Sequence, residues 1–145
     1  MTRNAVLSLP IWFWIVSIFA LIWNLMGLGA FIGQISMTQA SLLALPISEK
    51  ELLLSYPSWM EVVYAVAVLS GVIGSIGLLL RKKWSRPLFV LSLVAILIQM
   101  IYSLIGVTSL ESFSPESVIL PVFIILAGVF HVFFSNFSIK KNWLN

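Results

Sequence analysis

The chain has 145 residues, 61% hydrophobic and 9% charged, with a formal net charge of +3. A soluble domain is about 45–50% apolar and about 25% charged, so this chain has too little charge to clothe a water-facing surface, and its solvent is lipid. It has no cysteine, which excludes disulfide exchange, thiolate metal sites and thiol nucleophiles. Its basic residues flank apolar runs and form no nucleic-acid patch.

Four apolar runs are long enough to cross a bilayer as helices, which takes about 20 residues: 11–33, 59–80, 87–107 and 118–135. Pro10 and Pro87 sit at helix starts, where proline is tolerated because its missing N–H is not needed. Only Arg3 precedes the first span, whose apolar core is longer than that of a signal peptide, so it reads as a retained anchor. The stretch 34–58 between the first two spans is the one sizeable extramembrane piece. Within it, "SEKELLLSY" puts Ser48 and Glu51 at capping-box spacing ahead of three leucines. This predicts a short amphipathic helix on the membrane surface, either a cover over the bundle or a lid over a site. Arg81-Lys82-Lys83 ends the second span.

An even number of spans puts both termini and the loop 81–86 on one face. That face holds Arg3, Arg81, Lys82, Lys83, Arg86, Lys140 and Lys141, and the opposite face holds Lys50 alone. A bias of seven to one predicts cytoplasmic termini. The glutamates Glu49, Glu51, Glu61, Glu111 and Glu116 fall on the other side. Trp12, Trp14, Trp59, Trp84 and Trp143 lie near span ends, as interfacial rings do. The loop "RKKWSR" sets topology, and Arg81, Lys82, Lys83 and Arg86 are candidates for binding anionic lipid headgroups.

At 100° per residue, each span carries its small and polar side chains on one stripe. The stripes are Ser17, Ala20, Asn24, Gly27 and Phe31; Tyr64, Ala67, Gly71, Gly74 and Ser75; Ser92, Ala95, Gln99, Tyr102, Ser103 and Gly106; and Pro121, Ala127, Gly128, His131 and Ser135. Small residues let helix backbones approach and polar ones avoid acyl chains, so the stripes face one another. The expected fold is all-α: one domain, an up-down-up-down four-helix transmembrane bundle. By depth, Ser17, Ser75, Ser92 and His131 form one layer, Asn24 and Gln99 lie near the middle opposite Gly71, and Glu61, Tyr64, Tyr102 and Ser103 lie towards the outer face.

Asn24, Gln99, His131, Glu61, Tyr64 and Tyr102 are the candidates for substrate binding or proton relay. His131, the only histidine, is either a neutral ring hydrogen-bonded to a neighbouring serine or carbonyl, a relay or ligand contact, or a metal or haem ligand. A metal lacks further ligands, since the chain has no cysteine, no aspartate and no second histidine. Glu61 is either the capping partner of Ser58 at a helix start or an outward-facing carboxylate beside Tyr64 and Tyr102. Asn24 and Gln99 are either interhelical glue or solute ligands. Gly29 with Gly33, and Gly71 with Ser75, have the spacing of a small-residue dimer face. No cofactor is implied, and no nucleophile–base pair marks an enzyme.

"WNLMG" at Trp23, "YPSW" at Tyr56, "LLLRKKWSRPLFVLSL" ending at Leu93, and "QMIYS" from Gln99 together resemble a group of small four-span proteins of the bacterial inner membrane. Some of that group carry the label of sugar transporter. The resemblance runs over nearly the whole chain and implies a multi-pass protein with no established reaction. Small multidrug exporters have a glutamate in the first span, where this chain has Asn24. Quinone-linked disulfide oxidases and vitamin K epoxide reductase-like proteins need cysteine pairs, and a DoxX-like group matches in size and span count alone. Two functions stay open: a small-solute or proton-coupled carrier, as a homodimer, and a non-transporting accessory subunit of a larger membrane complex.

Overall fold

The computed structural model describes residues 8–109 and 115–145, with the side chains of residues 107–109, 116 and 117 undescribed. Arg3 and Glu111, and the side chain of Glu116, therefore lie outside the described residues. Six helices follow in order: α1 Ile11–Ile35, α2 Gln39–Leu43, α3 Ile47–Ser55, α4 Ser58–Leu79, α5 Ser85–Ser109 and α6 Pro115–Lys140. Among the described residues there is no strand. Four helices, α1, α4, α5 and α6, are long and apolar enough to cross a membrane, and the chain is a multi-pass membrane protein.

The cross-helix contacts fix the topology. Asn24 meets Ser75 and Phe31 meets Tyr64, so α1 and α4 run antiparallel. A Cβ on Gly74 would touch Phe89 and one on Gly77 would touch Ser85, which pairs α4 with α5 in opposite sense. Gly128 lies against Leu93, and His131 against Phe89, which does the same for α5 and α6. The result is the expected up-down-up-down bundle. The stripes do converge: Ser17, Ala20, Ala67, Gly71, Gly74, Ser75, Ser92, Ala95, Gln99, Gly128, His131 and Ser135 are all buried. Leu, Ile, Val and Phe face outwards, Ile11, Phe19, Val62, Ile105, Phe123 and Phe133 among them.

The spans outrun the apolar runs. Helix α5 starts at Ser85 and takes Pro87 into its first turn, where no N–H is missed. Helix α6 starts at Pro115, which leaves Pro121 in its interior, and runs on to Lys140. It passes the expected end at 135 because the last turns are packed: Ser138 is fully buried and Ile139 lies on the core. The connection 34–58 holds two helices where one was expected. The capping box there belongs to Thr38 and Ser41, which bond reciprocally at the start of α2. Helix α3 starts two residues before Ser48 was expected to begin it, after Pro46, and α4 starts after Pro57. Ser48 and Ser58 are thus inside helices and cap nothing. Proline, fixed in an extended conformation for the following turn, displaces the serine as the helix-start signal at both places.

Both helix ends at the basic loop close in the same way. After α4, Lys82 N–H donates to Gly77 O at 2.8 Å and Arg81 N–H to Leu78 O at 2.9 Å, with Arg81 at φ 58°. After α6, Trp143 N–H donates to Ser138 O and Asn142 N–H to Ile139 O, both at 2.9 Å, with Asn142 at φ 57°. These are Schellman closures with a left-handed residue other than glycine. They bring the stretch 143–145 onto the basic loop. Asn145 N–H donates to Arg81 O at 2.6 Å, Lys83 N–H to Asn145 O at 2.9 Å, and Arg81 Nε to Trp143 O at 3.0 Å. Leu144 is buried in a core with Phe13, Leu78, Phe89 and Phe134.

Candidate functional site

Above that core, at mid-height, lies a cavity of about 290 Å³ bounded by all four long helices. A water takes about 30 Å³ of liquid, so the space suits a small organic molecule. Helix α1 contributes Trp23, Asn24, Met26, Gly27 and Ala30, and α4 contributes Tyr64, Ala67 and Val68. From α5 come Ser92, Ile96, Gln99 and Met100, and from α6 Leu120 and Ile124. No charged side chain lines it. Its polar groups are Asn24, Tyr64, Ser92 and Gln99, with the indole of Trp23 at the wall.

Two of these are already committed. Asn24 Nδ2 donates to Ala20 O at 2.8 Å and to Ser75 Oγ at 3.1 Å, while Ser75 Oγ donates to Gly71 O at 2.9 Å. Ser92 Oγ donates to Ala67 O at 2.7 Å, tying α5 to α4. Gly71 makes the convergence possible, because a Cβ there would overlap Asn24 Oδ1 outright and crowd Ser92 Oγ at 3.3 Å. The other two groups are uncommitted. Gln99 is 8% exposed and lines the cavity, yet its amide makes no hydrogen bond to a described residue. The Tyr64 hydroxyl makes none either, although its ring packs edge-on against Phe31 at 5.1 Å.

The structure therefore brings Asn24, Tyr64 and Gln99 together and separates the other candidates from them. His131 is buried one layer down, stacked on Phe89 with centroids 5.2 Å apart and flanked by Phe130. No serine or carbonyl among the described residues bonds its ring, and the cavity does not reach it. Ser75, expected in a layer with Ser17 and His131, belongs with Asn24, and Ser92 sits beside Gly71. Glu61 is exposed and borders a separate outer hollow with Gln34, Thr38 and Gln39, which neither Tyr64 nor Tyr102 lines. Tyr102 packs on Tyr56 and Trp59, and Tyr56 OH bonds Ser103 Oγ, which fastens the end of α3 to α5. Among the described residues, no three potential metal ligands converge.

At the basic loop, Lys82, Lys83 and Arg86 are exposed, whereas Arg81 is half-buried and holds Trp143. Met26, Met100, Leu120 and Ile124 escaped the sequence reading because an apolar cavity wall and a lipid-facing side chain look alike in composition. Comparison with known protein families, curated proteins and solved structures found no match.

Proposed function

We propose that the chain is a carrier of small uncharged solutes in the bacterial inner membrane, with cytoplasmic termini, and that the mid-bundle cavity is where the solute rests. The carrying observation is the uncommitted Gln99 amide inside an uncharged cavity. That amide faces the cavity with its hydrogen-bonding capacity unused, and a bound solute would supply a partner in apolar surroundings. The packed layer of Phe13, Leu78, Phe89 and Phe134 shuts the cavity off from the basic end. A binding place closed on one side is what alternating access requires. The lysine and arginine bias supports the orientation, and the thinness of a single bundle supports a homodimer.

Reconstituted protein tests this with a panel of labelled neutral solutes, from sugars to lipophilic alcohols. Saturable uptake above protein-free vesicles is expected, falling about tenfold in Gln99→Leu, the worth of one good hydrogen bond. No saturable uptake of any member overturns the reading. The packing of His131 into a closed aromatic layer favours a second reading, a non-transporting accessory subunit. That reading predicts co-purification with a larger membrane complex and tolerance of Asn24→Ala combined with His131→Ala.

A further inference from the structure

We infer that the cavity opens sideways into the bilayer between α1 and α6, and that its solute is an uncharged, lipid-dissolved molecule with a single hydroxyl or carbonyl head that reaches Gln99. This deepens the carrier reading and rests on the same cavity.

The opening follows from how the four helices close. Helix α4 packs against α1 and α5, and α5 against α6, through glycine, alanine and serine. The remaining seam, α1 to α6, is bridged by aromatic rings. Near the basic end these are Trp12 and Phe13 against Phe134, with centroids 5.9 and 5.7 Å apart, and halfway up Trp23 against Phe123 at 5.8 Å. Beyond Trp23 no ring pair among the described residues spans the seam. There the cavity walls are Met26 and Ala30 on one side and Leu120 on the other. Met26 is 65% exposed and Leu120 62%, although both line the cavity. A side chain that borders an internal space and is exposed marks where that space meets the surroundings. At this height the surroundings are acyl chains. Further along the same half of α1, a Cβ added to Gly29 or Gly33 would meet nothing within 4 Å, whereas one on Gly27 would touch Val68 at 3.6 Å.

The solute class follows from counting free polar groups. Asn24 and Ser92 have spent their donors on Ala20, Ser75 and Ala67. Gln99 and Tyr64 keep both donor and acceptor capacity, and beside them stand only the acceptor oxygens of Asn24 and Ser92 and the Trp23 indole, in a wall that is otherwise apolar. A polyol such as a hexose brings about five hydroxyls, and each one left unpaired in this cavity would carry its full desolvation cost. A molecule with one polar head and an apolar body has what the site offers: partners for the head, and Val68, Ile96, Met100, Leu120 and Ile124 for the body. Its tail can extend through the seam into lipid, so the cavity volume does not cap its length.

Bromodecanol with bromine at the chain end is a suitable probe, because Trp23 forms part of the wall and bromine quenches indole emission. The full chain in lipid nanodiscs should show a saturable quenching phase above the linear one from probe dissolved in lipid. Gln99→Leu should weaken that phase about tenfold in apparent Kd. Met26→Phe with Leu120→Phe, which crowds the seam without touching Gln99, should slow its onset in stopped-flow mixing. Excess glucose should leave it unchanged. Saturable glucose binding with no saturable bromodecanol phase overturns the solute class but leaves the cavity a solute site. An unaltered onset in the doubly substituted seam overturns the sideways opening, and binding of neither probe overturns the carrier site itself.

Discussion

The half of the bundle nearest the basic loop and the half nearest α2 and α3 are built from the same apolar alphabet and pack differently. In the first, Phe13, Leu78, Phe89, Phe134 and Leu144 form a closed core, and Ser17, Ser85, Ser135 and Ser138 are fully buried beside it. Rings interlock across the α1–α6 seam, and the stretch 143–145 is pinned to the loop. In the second, the cavity takes the place of a core, and long flexible side chains border the seam. Between helices in lipid there is no gain from hiding apolar surface, because acyl chains are as apolar as leucine, so association depends on close contact and hydrogen bonds. Flat rings and small residues achieve that contact. Unbranched and γ-branched chains at the opposite half leave room. Close packing and open space are thus separated along the membrane normal.

The largest expected effect probes the closed half. Phe89 touches Gly74 and stacks on His131, and it is 1% exposed. Phe89→Ala should cost about 3 kcal/mol or more, the usual range for emptying a phenylalanine site, read by equilibrium unfolding in bicelles. The matched change in the loose half, Phe31→Ala, removes a half-buried ring and should cost well under half as much. Equal losses would break the contrast. Next comes Gly71→Ala, where the new methyl group displaces Asn24 and crowds Ser92. A loss of about 1–3 kcal/mol is expected for such overpacking, together with weaker probe binding because the cavity floor shifts. Gly29→Ala should change neither, since open space surrounds that position.

Much of the fold was legible because hydropathy and the 100° repeat do not depend on which helix lies next door. Asn24, Gln99 and His131 were expected inside, and they are at least half-buried there. Depth was less legible, because it accumulates at about 1.5 Å per residue from a helix start. A start two residues early at α5 and an end five residues late at α6 shifted the levels assigned to Ser92 and His131. The two serine caps failed for another reason: Ser48 and Ser58 each follow a proline that had already set the first turn. The pinning of 143–145 had one weak sequence signal, Asn142 after a basic last turn, since asparagine tolerates the left-handed conformation. It depends equally on a left-handed turn at Arg81, a residue type that does not favour that conformation. The cavity was half legible. Its polar floor was read from the stripe, but its open side comes from Met26 and Leu120, whose exposure is the same whether lipid or a ligand lies beyond them.

The smallest effect bears on what holds the middle together. Asn24 and Ser75 make the one side-chain hydrogen bond described between α1 and α4. Ser75→Ala removes it, but Asn24 keeps its bond to Ala20, and the hydroxyl's own donor served only the helix it belongs to. Polar pairs between membrane helices average about 0.6 kcal/mol and reach about 1.7, so a loss near the lower figure is expected. A double-mutant cycle with Asn24→Ala isolates the pair, because it cancels whatever each side chain does alone. Coupling well above about 1.7 kcal/mol would make this mid-height pair, and not the close packing of small residues, the main tie between α1 and α4. The loose half would then owe its order to a single polar contact at the cavity floor, and any solute that competed for Asn24 would loosen the bundle as it bound.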